Sequence, residues 1–107
     1  MKLEHESPDK LKKLILEIAG RHLDLKKYRL FFFGSRVSGA AGERSDIDVG
    51  IEGPEPLPAK LFADIEDEVE NLPVLYKIEI VDFKKVSPDF REVALQHVED
   101  INSPPNV

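Results

Sequence analysis

The stretch LFFFGSRVSGAAGERSDIDVGIE, from Leu30 to Glu52, decides how this chain is read. An apolar run ends abruptly at Gly34-Ser35, and after ten intervening residues two aspartates, Asp46 and Asp48, flank a single Ile inside a second apolar run. Ile47, Val49 and Ile51 alternate with Asp46, Asp48 and Gly50, which is the period of a strand, so Asp46 to Glu52 is expected as a strand with both aspartates on one face. Side chains two positions apart on a strand stand about 6.5–7 Å from each other. Carboxylates held that close resist ionising together unless a cation lies between them, and any desolvation adds to the penalty.

Spacing alone carries no weight in so acidic a chain. Among its 21 acidic residues the same separation recurs at Glu4/Glu6, Asp64/Glu66, Glu66/Glu68 and Glu68/Glu70. The last three fall on a helical segment, where residues two apart do not share a face, and Glu4/Glu6 lies in a polar terminus. Only the strand context singles out Asp46 and Asp48. A solvated strand face would explain them too, but a third acid weighs against that. Glu79 sits within Lys77-Ile78-Glu79-Ile80-Val81, another apolar strand in which an acid needs a reason. Asp82 is offset from Glu79 by an odd number of positions, so it points to the opposite face and is expected to cap or bridge at the strand end. Oxygen-only ligands of this kind suit Mg²⁺, with Mn²⁺ as the alternative, and two-metal sites hold their ions about 3.5–4 Å apart.

Gly34-Ser35 lies between a buried strand and a helix start, where backbone N–H groups point outward and favour an anion. Gly34 permits close approach, the Ser35 hydroxyl can donate to a phosphate oxygen, and Arg36 either adds positive charge or is an ordinary surface residue. An ordinary helix cap at Ser35 is the competing explanation. No Gly-Lys-Ser/Thr phosphate loop and no dinucleotide fingerprint occurs anywhere in the chain. His5, His22 and His97 show no metal-ligand spacing, and His22 and His97 fall on apolar helix faces, which places them in the core or at its boundary.

Outward from this centre, Ser7-Pro8 is a capped helix start, and Leu11, Leu14, Ile15, Ile18 and His22 carry a helix from about Pro8 to Asp24. Arg29 to Phe33 reads as a strand buried on both faces, and Ser35 to Ala41 as a short helix broken by Gly39 and Gly42. Gly53-Pro54-Glu55-Pro56-Leu57-Pro58 is an irregular connector. A helix with Leu61, Phe62, Ile65, Val69 and Leu72 on one side follows, then a third strand from Tyr76 to Phe83. Ser87-Pro88 repeats the capping signal for a last helix whose buried face is expected to carry Phe90, Val93, Ala94, His97 and Ile101, ending at Asn102-Ser103-Pro104-Pro105. The expected fold is a small α/β structure of the α+β type, a three-stranded mixed sheet with flanking helices, as a single domain over residues 1–107.

The chain has no cysteine, which excludes disulfides and thiolate metal sites. Its first residues are too polar for a signal peptide and no apolar run approaches a membrane span, so a cytoplasmic setting without membrane contact is expected. A net charge of −6 argues against direct nucleic-acid binding.

Gly34-Ser35, ten intervening residues, Asp46-Ile47-Asp48 between apolar neighbours, and the later acid in Ile78-Glu79-Ile80 together resemble the signature of the DNA polymerase β-like nucleotidyltransferases. Length and layout look most like the minimal nucleotidyltransferases, antitoxin partners of HEPN-domain toxins. The resemblance covers Leu30 to about Asp82. It implies a nucleotidyltransferase fold in which Asp46 and Asp48 hold two Mg²⁺ ions, Gly34, Ser35 and Arg36 bind the nucleotide, and Glu79 ligates one ion and helps deprotonate the attacking hydroxyl. The implied reaction moves a nucleoside monophosphate, AMP from ATP or its equivalent from another NTP, onto a hydroxyl. A tyrosine of a helical HEPN partner is the implied acceptor, in a hetero-oligomer. Glu79 departs from the family, where Asp is the commoner third acid. Larger members carry further domains for base and acceptor, which 107 residues are not expected to accommodate. A binding module that neutralises its partner by contact alone, or an enzyme acting on a small molecule, are the alternatives.

Overall fold

A computed structural model of the protein describes residues 1–39 and 46–102. Ser7 accepts from the Lys10 N–H at 3.4 Å and Pro8 occupies the first turn of α1, Pro8–His22, which buries Leu11, Ile15, Ile18 and Ala19. The apolar run forms β1, Arg29–Phe33, and Gly34 opens α2, Ser35–Ser38. The expected extension of this helix to Ala41 lies outside the described residues. β2 spans Ile47–Glu52, with Asp46 immediately before it, and α3 spans Ala59–Glu70. β3, Ile78–Asp82, precedes α4, Pro88–Ala94, whose Phe90 N–H is accepted by Ser87 at 3.1 Å.

The sheet has four strands, not three, in the order β3-β2-β1-β4, because the last helix stops at Ala94 and Glu99–Asp100 forms β4. β4 runs antiparallel to β1, pairing Phe31 with Asp100 and Phe32 with Glu99. A β1 left with one open edge would present unpaired backbone groups beside its most apolar residues, and β4 satisfies them. Ile101 is buried, as expected, but by way of this strand rather than a helix: its N–H donates to the Leu30 carbonyl at 2.9 Å. Phe90, Val93 and His97, expected on the buried face of the last helix, are instead exposed, because α4 ends at Ala94 and reaches across only part of the sheet.

The sheet is mixed, with β1 antiparallel to β2 and β2 parallel to β3. Alternation divides its two faces. Leu30, Phe32, Ile47, Val49, Ile51, Ile78 and Ile80 pack with residues of α1 and α3 in the main core. Phe31, Phe33 and Phe83 form a second aromatic cluster on the other side, with Ala94, Leu95 and Val98 against it. Their rings meet edge-on, Phe31 to Phe83 at 4.8 Å and Phe33 to Phe83 at 5.0 Å between centroids. A Cβ at Gly50 would lie 2.5 Å from the Phe31 ring, so this strand position has room only for glycine.

Asp82 behaves as its offset predicts. It is buried at the end of β3, accepting from the Leu57 N–H at 2.8 Å and the Lys84 N–H at 2.9 Å, which ties the proline-rich connector to the sheet. His22 is a boundary residue, half-buried and bonded to Glu68 of α3.

Candidate active site

Two long helices cover one face of the sheet, whereas the short α4 covers only part of the other, and the acids lie on that second face. Three strands bring them into a row. Phe33 pairs with Asp48 across the antiparallel β1–β2 ladder, and Asp48 pairs with Glu79 across the parallel β2–β3 ladder. Register partners project to the same face, so the end of β1, Asp48 and Glu79 are neighbours by construction.

Gly34, the next residue after Phe33, adopts φ +81°, a conformation that L side chains rarely take. A Cβ there would come within 2.2 Å of Asp48 Oδ2. The turn therefore lies directly against the Asp48 carboxylate. Gly34, rather than Ser35, is the cap of α2, and its carbonyl accepts from the N–H groups of Val37 and Ser38 at 3.1 Å each. Ser35 is the first helical residue and half-buried, which sets aside the reading of Ser35 as a helix cap. Arg36 is half-buried, and its guanidinium lies over the Tyr76 ring, 4.9 Å from the centroid. The Tyr76 hydroxyl in turn accepts from the His5 N–H at 2.8 Å.

Burial raises the Asp48 carboxyl above its ordinary 3.8, and the charges of Glu79 and then Asp46 raise it further. Glu79 and Asp46 thus both act on Asp48; Asp46 and Asp48 are half-buried and Glu79 is exposed. Among the described residues no group of three His, Cys, Asp or Glu side chains is arranged to enclose a metal ion by itself. The donors nevertheless fit Mg²⁺. They are hard oxygens whose mutual repulsion a cation relieves, and Mg²⁺ is usually bound by one or two carboxylates together with substrate phosphates rather than by an all-protein cage.

A cleft of about 480 Å³ opens beside the row. Gly34, Ser38, Asp48 and Glu79 line one side, and Phe90, Val93, Ala94, Gln96 and His97 line the other. Its volume lies in the range of small-molecule sites. The α4 side was missed in the sequence because Phe90, Val93 and His97 follow a helical period that reads as core. Period gives the face of a helix but not what, if anything, covers it.

Residues 10–103 match the sequence profile of the family described as polymerase beta, nucleotidyltransferase. Over 66 residues the chain is 32% identical to the probable protein adenylyltransferase MntA of Haemophilus influenzae, an alignment covering 62% of this chain and 58% of that protein. The match thus spans little more than half of the relative's length. Among solved structures, the fold superposes with a TM-score of 0.69 on a chain of a toxin–antitoxin crystal structure with AMP-PNP, at 15% identity over 85% of this chain and 72% of that one. It also matches a chain of the tri-AMPylated HEPN toxin of Shewanella oneidensis in complex with an MNT antitoxin, with a TM-score of 0.65 and 13% identity over 86% and 69%. At such identities these structures speak to the fold. The sequence profile speaks to kinship, and the chain belongs to the polymerase beta family of nucleotidyltransferases.

Proposed function

We propose that this protein is a Mg²⁺-dependent adenylyltransferase that transfers AMP from ATP to a tyrosine hydroxyl of a HEPN-type toxin and thereby acts as its antitoxin in the cytoplasm. The observation that carries the reading is the row formed by the Gly34 turn, Asp48 and Glu79 across three strands, with the charge of Asp46 beside it. The MntA relative and the AMPylated HEPN complex support the choice of nucleotide and acceptor. A net charge of −6 favours a protein acceptor over a nucleic acid.

In this reading Asp46, Asp48 and Glu79 hold the metal, with Mn²⁺ able to replace Mg²⁺, and Gly34, Ser35 and Arg36 take the phosphates. Mg²⁺ ions held there would supply neutralisation of the charge on the phosphates and on the attacking oxygen. Glu79 accepts the hydroxyl proton, the hydroxyl oxygen forms its bond to the α-phosphorus, and the bond to the β-phosphate oxygen breaks to release pyrophosphate. In this reading the HEPN partner completes the site in a hetero-oligomer.

Incubation with α-labelled ATP, Mg²⁺ and the HEPN partner tests this. Label is expected on the partner, and Asp46→Asn with Asp48→Asn should reduce transfer by on the order of 10² or more. Equal transfer by the double variant would overturn the assignment. Full neutralisation of the partner by that variant, with no label, would identify a protein that acts by contact alone.

A further inference from the structure

The α4 side of the cleft is apolar where solvent would ordinarily favour polar groups. Phe90 and Val93 are two of the three large hydrophobic residues exposed among the described residues, at 43% and 66%, and both line the same cleft as the acids. Exposed apolar residues that cluster on a concave surface mark a binding site more often than scattered ones do. Phe90 is also held in place. Its N–H is accepted by the Ser87 hydroxyl, and its ring packs edge-on against Phe33 at 6.1 Å and tilted against Phe83 at 6.0 Å between centroids. A ring anchored in this way and still exposed is a platform for another flat ring. Gln96, on the same wall, offers an amide with both a donor and an acceptor, the pair that complements an adenine edge.

We propose that this wall is the nucleobase subsite, with a purine stacked on Phe90 and Val93 and its edge read by Gln96. The inference rests on the reading of the cleft as the site of nucleotidyl transfer and assigns to this chain a task that would otherwise fall to a further domain. A nucleotide fits the cleft better than a segment of partner protein, because the cavity is concave and continuous from the Gly34 turn to α4. A single ligand can therefore extend from the Gly34 turn and the acids to the apolar end.

Titration calorimetry of the full chain with Mg²⁺-ATP and with Mg²⁺-tripolyphosphate tests the assignment in the wild type, Phe90→Ala and Val93→Gln. ATP is expected to bind the wild type at least about tenfold more tightly than tripolyphosphate, and each variant to lose about tenfold for ATP only. Val93 is exposed, so its variant should retain the wild-type melting curve and separate recognition from folding. Equal affinity of the wild type for both ligands, or undiminished ATP affinity in the two variants, would overturn the subsite and leave the transferase reading intact. A rise in KM for the protein acceptor instead would give the wall to that acceptor. Absence of binding by either ligand to the wild type, both alone and with its partner present, would overturn both readings.

Discussion

Gly34 shows how much a single residue contributes. The sequence marks it as the end of an apolar strand, and that much requires only local steric argument. Its closeness to Asp48 could not be read there, because it depends on the antiparallel register that sets Phe33 opposite Asp48. Gly34→Ala would place a methyl 2.2 Å from Asp48 Oδ2 at a φ of +81°. The backbone alone costs about 1–2 kcal/mol, and the clash adds to it by pushing the carboxylate away. The expected outcome is a lower melting temperature together with a loss of transfer on the order of 10²-fold, since small displacements of catalytic groups cost that much. Calorimetry and a turnover assay on the same preparation would check it. Wild-type turnover in Gly34→Ala would show that the position of Asp48 against the turn does not matter.

Among the elements, β4 was the one hidden from sequence. Phe90, Val93, Ala94, His97 and Ile101 keep a helical period, and no glycine or proline intervenes between Pro88 and Ile101 to mark a stop. What ends the helix is tertiary, namely the open edge of β1. Asn102 completes that attachment. Its carboxamide oxygen accepts from the Leu30 N–H at 2.7 Å, and its amide donates to the carbonyls of Tyr28 at 2.9 Å and Leu25 at 3.2 Å. One side chain thus supplies three bonds to the backbone around the start of β1. Asn102→Ala would leave these partly buried groups unpaired, and a destabilisation of about 1–3 kcal/mol is expected in urea unfolding. Asn102→Asp should be the milder change, because its carboxylate can still accept from Leu30. A neutral result for Asn102→Ala would mean that water replaces all three bonds.

For the molecule as a whole, the decisive fact is the unequal covering of the sheet. α1 and α3 close one face, while α4 shields only the aromatic cluster on the other and leaves the acids accessible. Arg91 fastens α4 to β2 through a two-pronged contact with Glu52, 2.7 Å from Nε to Oε2 and 3.0 Å from the terminal nitrogen to Oε1. The hydrogen bond from Arg91 holds the Glu52 carboxyl below its ordinary 4.5, with burial opposing and the charges of Arg91, Lys84 and Arg29 assisting. A carboxylate lowered in the folded state stabilises the fold fully above its unfolded value and loses that contribution as pH falls through the folded one. The stability difference between wild type and Arg91→Gln is therefore expected to be constant near neutrality and to shrink below about pH 4.5. Thermal melts across pH 3–7 would measure it, and a difference independent of pH would place the effect of Arg91 outside its pair with Glu52. The sequence by itself determined the order of helices and of the first three strands, the acid face of β2, the off-face role of Asp82 and the turn at Gly34. Each follows from interactions within a few residues, such as capping, alternation and glycine geometry. Only the tertiary structure decided that Asp48 stands between Gly34 and Glu79, that β4 closes the free edge of β1, and that Phe90 and Val93 face a cleft rather than a core. Those depend on strand register and on how far a short helix reaches across a sheet, which residues distant in sequence settle together.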